Sequence, residues 1–139
     1  MNILICNDFT HANLDEMREV YASVGWKKHN PEVIQQVFGA SNVIALVYVN
    51  GRIIGFGRAM SDGIFNAAIY DIVVHKDYQG HGIAKKVMEY ILNQLRDVSC
   101  VHLISTTGNE EFYNKSGFKK LKTGMARYLN SDLRDEYLE

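Results

Sequence analysis

Residues 65–95, FNAAIYDIVVHKDYQGHGIAKKVMEYILNQL, decide the fold. The first eleven, FNAAIYDIVVH, are β-branched and aromatic enough to read as a strand. From Ile83 the period changes: Ile83, Val87, Ile91 and Leu95 recur every fourth residue, with Ala84, Met88 and Leu92 beside them, which is the stripe of an amphipathic helix. Between strand and helix lies Gln79 to Ala84, QGHGIA, whose Gly80 and Gly82 let backbone approach a ligand at a helix N-terminus. Unpaired N–H groups and the positive end of the helix dipole converge there, so an anion such as phosphate is the expected guest. Glycines in a strand-to-helix turn are also ordinary punctuation, and the neighbouring sequence has to decide.

Outward from this core, the preceding strands form a meander. Residues 42–49, NVIALVYV, lead through Asn50-Gly51, a two-residue turn that requires positive φ, into RIIGFGRAM. Ser61-Asp62-Gly63 turns the chain again into the strand quoted above, so three successive strands are antiparallel. Earlier, residues 2–6 make a short β run. Asn13 and Glu16 have capping-box spacing at the head of a helix ending at Gly25. Asn30, Pro31 and Gly39 frame a second helix as cap, first position and C′ residue. After the glycine loop and its helix, CVHLIST reads as a strand, Glu110 to Asn114 as a short helix closed by Gly117, and FKKLKTGMARYL as one or two further β segments. The tail SDLRDEYLE is charged and peripheral. The expected fold is α/β (α+β): a mostly antiparallel twisted sheet of six to seven strands with about four helices.

Composition limits the function. At 139 residues with one proline and no linker or repeat, residues 1–139 are expected to be one domain. Fifteen basic against sixteen acidic residues give a net charge of −1, which supplies no field for a phosphate backbone, so no nucleic-acid partner is expected. No apolar run approaches the ~18 residues of a membrane span, and the start MNILICNDFTH lacks an export signal, so the expected location is cytoplasmic. Two cysteines, Cys6 and Cys100, are too few for a disulfide framework, and five histidines show no zinc spacing, so no metal is expected.

The glycine loop is not a Walker loop, because no Gly-Lys-Ser/Thr follows. Nor is it a dinucleotide fingerprint, because Lys85 stands at the third glycine position and the loop follows an antiparallel meander. Position by position it resembles motif A of the GNAT superfamily of acetyl-CoA-dependent N-acetyltransferases: IYDIVVHKDY, then Gln79, Gly82 and Ala84, then KKVMEYIL. Phe112, Tyr113, Lys115, Gly117 and Phe118, in FYNKSGF, resemble the family's motif B. The chain departs from the family at residues 106–109, TTGN, where many members carry Asn-x-x-Ala. SVGWKK and the stretch from Ile53 to Gly82 resemble bacterial single-domain members related to plant and cyanobacterial serotonin N-acetyltransferases.

The resemblance implies a sheet splayed at a cofactor site, with the backbone of Ile72, Val73 and Val74 along the pantetheine of acetyl-CoA. It also implies a pyrophosphate held by Gln79, Gly80, His81, Gly82, Ile83, Ala84 and Lys85. Tyr113 is implied as the hydroxyl that protonates the leaving thiolate, a role that competes with plain aromatic packing. Asp71, inside an apolar strand, is either a base or amine anchor or a structural carboxylate. His75 is a histidine beside the expected site, but at a strand end such a residue is more often a solvated one. Tyr21, Trp26, Phe56, Arg58, Tyr70 and Tyr128 are candidates for the amine pocket, each also explicable as packing. The expected function is acetyl transfer from acetyl-CoA to a small arylalkylamine-like primary amine by direct attack in a ternary complex. The alternatives are a protein lysine or N-terminal acetyltransferase and a non-catalytic acyl-CoA-binding regulatory protein. Family analogy and a free late edge allow a homodimer.

Overall fold

The local rules read from the sequence place most of the elements. The structure is a computed structural model and describes residues 1–139. Strand β1 (Ile3–Cys6) precedes helices α1 (Leu14–Ser23) and α2 (Pro31–Gly39). Asn13 Oδ1 accepts the Glu16 N–H at 3.1 Å and Asn30 Oδ1 accepts the Val33 N–H at 2.9 Å, so both helices start at side-chain caps. Strands β2 (Val43–Val49), β3 (Arg52–Ser61) and β4 (Asn66–Val74) form the meander. The hairpin between β2 and β3 turns on Asn50 and Gly51, with φ of 52° and 77°. Helix α3 (Ile83–Gln94), strand β5 (Cys100–Leu103) and helices α4 (Glu110–Lys115) and α5 (Ser131–Tyr137) complete the chain.

The sheet order is β1-β2-β3-β4-β5, antiparallel throughout except that β5 runs parallel to β4. Alternation along β2 divides the core. Val43, Ala45, Val47 and Val49 face α3 with Val87, Met88 and Ile91, while Ile44 and Leu46 face α1 and α2 with Met17, Tyr21, Ile34 and Phe38. At their crowded centre, an added Cβ on Gly57 would stand 2.7 Å from Ile91 Cδ1 and 2.8 Å from Val87 Cγ1, so glycine lets α3 lie close on β3.

Three expectations need correction. The sheet has five strands rather than six or seven, because 118–129 forms no strand, and the charged tail contains a helix, α5, capped by Asn130. The physical reason is that Lys119, Lys120, Lys122 and Arg127 leave the segment too little apolar surface on either side to bury, and Met125 is 97% exposed. Gly39 is the last residue of α2 rather than its C′ residue; Ala40 is the C-cap, in ordinary helical φ,ψ.

Candidate active site

A break in the sheet creates the cleft. Pairing of β4 with β5 runs from Asn66↔Cys100 to Ile69↔Leu103 and stops. Two residues on, Asp71 has a φ of 53°, and the β3–β4 register shifts between Phe56 and Arg58, so β4 bulges opposite Gly57. The bulge suspends alternation: Tyr70 and Asp71, consecutive in sequence, both meet Arg58. Arg58 Nε donates to Asp71 Oδ2 at 2.8 Å, and the guanidinium lies 5.0 Å from the Tyr70 ring centroid. Beyond Ile69, β4 has no partner on the side away from β3. The opening is a cleft of about 580 Å³, lined by β4 from Ile69 to Val74, by Trp26, by Leu103 and Ile104, and by Phe112 and Tyr113.

One end of this cleft adjoins the glycine loop. Gly80 and Gly82 have φ of 85° and 75°, and Gly82 is the N-cap of α3 with no side chain to satisfy the first helical N–H groups. A neighbouring hollow of about 280 Å³ is lined by Gly80, Gly82, Ile83, Ala84 and Lys85, and shares Val74, Gln79, Ala84 and Phe112 with the main cleft. An uncapped helix start behind two left-handed glycines fits an anionic pyrophosphate, and the unpaired stretch of β4 fits an extended chain laid beside it. Gln79 Nε2 donates to the Val74 carbonyl at 3.0 Å, tying the loop to the strand end. His81 lines neither hollow. Lys85 lines the hollow, and its Nζ lies 3.9 Å from Glu89 Oε1.

Two helix ends of the same design position the aromatic residues. In α1, the Gly25 N–H donates to the Ala22 carbonyl and the Trp26 N–H to the Tyr21 carbonyl, both at 3.0 Å, with Gly25 at φ 91°. This Schellman motif folds Trp26 back onto Tyr21, with ring centroids 5.7 Å apart. In α4, the Gly117 N–H donates to the Asn114 carbonyl and the Phe118 N–H to the Tyr113 carbonyl, both at 3.1 Å, and Phe118 stands edge-on to Tyr113. The FYNKSGF spacing thus has a physical meaning: glycine at C′ lets Phe118 brace Tyr113. Tyr113 lines the cleft, its hydroxyl has no hydrogen bond within the protein, and burial pushes its pKa up, keeping it a proton donor.

The remaining candidates separate. Tyr21 is wholly buried, and its hydroxyl donates to Asp71 Oδ2 at 3.0 Å; burial first, then the Asp71 charge, push its pKa up. Phe56 is also wholly buried, between Tyr21 and Phe38. Trp26, Tyr70 and Asp71 line the cleft. Tyr128 stacks on Tyr137 and is no part of the cleft wall. His75 lies 3.8 Å from Glu19 and caps the turn after β4. His29, missed in the sequence, stacks on Tyr21 at 4.1 Å with Nδ1 buried and without a partner; burial lowers its pKa, against the pull of Asp71. Its signal was position: HNP follows WKK directly, in the connection that the Trp26 turn folds over α1. No group of three or more His, Cys, Asp or Glu side chains stands together as a metal site, and no helix is long and apolar enough to cross a membrane.

Comparison with known proteins agrees with this geometry. The family model of the GNAT acetyltransferases matches residues 9–118. The chain is 38% identical over 119 residues to the uncharacterized N-acetyltransferase ycf52 of Porphyra purpurea, covering 81% of this chain and 68% of that one. It is 33% identical over 115 residues to the chloroplastic serotonin N-acetyltransferase 2 of Oryza sativa subsp. japonica, covering 78% of this chain and 58% of that protein. The solved structure of a GNAT family acetyltransferase of Streptococcus pneumoniae superposes with a TM-score of 0.79 at 26% identity, covering 93% of this chain and 98% of that one. The chain belongs to the GNAT family of acetyltransferases. It is an N-acetyltransferase of that type, built on the family's α/β fold.

Proposed function

We propose that the protein transfers the acetyl group of acetyl-CoA to a small primary arylalkylamine by direct attack in a ternary complex. The observation that carries this reading is that one cleft is walled both by the unpaired backbone of β4 with Tyr113 and by Trp26, Tyr70 and Asp71. The glycine loop receives the pyrophosphate on its free N–H groups, and the β4 edge from Ile72 to Val74 receives the pantetheine. Trp26 and Tyr70 flank the acceptor's ring, and Asp71 accepts a hydrogen bond from its nitrogen. A cleft of about 580 Å³ is of the size that encloses a small ligand. The similarity to a rice protein named as a serotonin N-acetyltransferase supports the same acceptor class.

Acetyl-CoA supplies an activated thioester. When the amine nitrogen bonds to the acyl carbon and the carbon–sulfur bond breaks, the Tyr113 hydroxyl gives its proton to the departing sulfur. The proton shed by nitrogen restores it, so amine and acetyl-CoA become amide and thiol. Direct attack is favoured because neither cysteine lines the cleft: Cys6 pairs with Leu46 at the far edge of the sheet, and Cys100 opens β5 opposite Asn66. Initial rates measured while acetyl-CoA and an arylethylamine are both varied test the reading. Intersecting double-reciprocal lines are expected. Parallel lines with an isolable acyl-enzyme contradict direct attack, and turnover confined to lysine peptides replaces the small acceptor with a protein one.

A further inference from the structure

Asp71 is an unusual residue to meet an ammonium group. Both of its hydrogen bonds from the protein, from Arg58 Nε at 2.8 Å and from the Tyr21 hydroxyl at 3.0 Å, fall on Oδ2, while Oδ1 accepts none. Each side chain of the Arg58–Asp71 pair is only 14% exposed. Arg58 is held further by a 3.2 Å hydrogen bond to Ser41 Oγ and by the Tyr70 ring, and Tyr21 is fixed by its stacking on His29. Asp71 and Asn50 are the two non-glycine residues with positive φ, and Asn50 serves a hairpin. A backbone of that kind is held by its surroundings. The charged and titratable groups around the carboxylate are Arg58 from β3, Tyr21 from α1, His29 from the α1–α2 connection and the neighbouring Tyr70 of β4. Of these only Arg58 is a permanent charge, and it balances that of Asp71.

We propose that Arg58 and Tyr21 are positioning residues that hold Asp71 as a charge-compensated hydrogen-bond acceptor, so that the site takes the acceptor amine in its unprotonated form. The inference rests on the reading that Asp71 meets the acceptor nitrogen. An ammonium entering this end of the cleft loses its hydration shell and meets a carboxylate whose charge is already balanced, so desolvation is poorly repaid. A neutral amine loses less solvation, donates one N–H to Oδ1 and keeps its lone pair for the acyl carbon. No strong protein base is then needed, because solvent removes the proton before binding.

Two measurements test this. In the native enzyme, kcat/KM is followed against pH for two arylalkylamines of matched shape whose own pKa values differ. The rising limb is expected to follow the pKa of each amine, and the two curves to coincide when rates are expressed per unprotonated amine. A limb at the same pH for both amines overturns the proposal. Absence of turnover with both at every pH, with lysine peptides accepted, removes the small-acceptor reading itself. The second measurement compares inhibition by a fixed-charge aryl-trimethylammonium and by the neutral aryl alcohol. Arg58→Met is expected to shift the affinity ratio toward the cation about tenfold, as an exposed negative charge would, and Arg58→Lys to restore most of it. Tyr21→Phe is expected to raise the amine KM severalfold while leaving the acetyl-CoA KM unchanged. A ratio unmoved by Arg58→Met, or equal changes in both KM values for Tyr21→Phe, contradicts a positioning role.

Discussion

Gly57 on β3 lies opposite the bulge at Asp71 on β4, and the two residues depart from regular strand structure for one purpose. Gly57 has no side chain because Ile91, Val87 and Ile72 fill the space where a Cβ would go. Asp71 takes a left-handed φ because β4 carries an extra residue there. Close packing of α3 on one face and the opening of the sheet on the other thus meet at a single rung.

Gly57→Ala is therefore expected to lower stability by about 1 to 3 kcal/mol through overpacking. Urea denaturation checks this, with the midpoint falling and the slope unchanged.

Gly82 differs in kind. Nothing lies within 4 Å of a Cβ built on it, yet its φ of 75° disfavours any side chain. Left-handed geometry in alanine costs about 1 to 2 kcal/mol, and the strain falls on the loop proposed to receive the pyrophosphate. Gly82→Ala is expected to raise the acetyl-CoA KM roughly tenfold, since 1.4 kcal/mol corresponds to one decade, while the amine KM changes little. Steady-state kinetics with each substrate varied in turn separates the two.

His29 gives a pH dependence of stability with a definite sign. Its pKa in the fold is lowered from 6.5, burial being the largest cause, so the unfolded chain binds the proton more readily. The stabilisation is fully present above pH 6.5 and is lost as pH falls from there through the lowered value. His29→Gln is expected to remove this component, so the stability difference between native and variant protein narrows from pH 8 to pH 5. Trp26, the only tryptophan, lies near His29 with ring centroids 5.6 Å apart and reports the unfolding by fluorescence.

If Tyr113 is the proton donor of the proposed function, it bounds activity on the alkaline side. Burial raises its pKa above the ordinary value of 10.0, so the donor keeps its proton across the neutral and mildly alkaline range. The falling limb of kcat attributable to Tyr113 is expected above pH 10. A falling limb near pH 8 or 9 that disappears in Tyr113→Phe contradicts the assignment.

Much of this was legible in the sequence where local chemistry fixes structure. Asn13, Asn30, the Asn50-Gly51 turn and Gly117 each specify a cap or turn through their own bonding or φ. Gly25 and Gly117 were readable as the ends of two helices, whereas the Schellman bonds that fold Trp26 onto Tyr21 and Phe118 against Tyr113 are seen only in the structure. What was not legible depended on partners distant in sequence. Residues 118–129 read as one or two β segments, but burial decides, and Leu121, Met125 and Leu129 are exposed. Tyr21 and Arg58 are 50 and 13 residues from Asp71, and only the folded sheet shows that all three meet at one oxygen. His29 has no motif at all, and its importance lies in a stacking contact.

The central claim is tested most directly by thiol release from acetyl-CoA over a panel of arylalkylamines, polyamines, amino sugars and lysine peptides, with Tyr113→Phe alongside the native enzyme. Turnover concentrated in the arylalkylamines, with kcat about 100-fold lower in the variant as loss of a general acid implies, is the predicted result. Binding of acetyl-CoA, seen as a raised melting temperature, without acetylation of any arylalkylamine would contradict it.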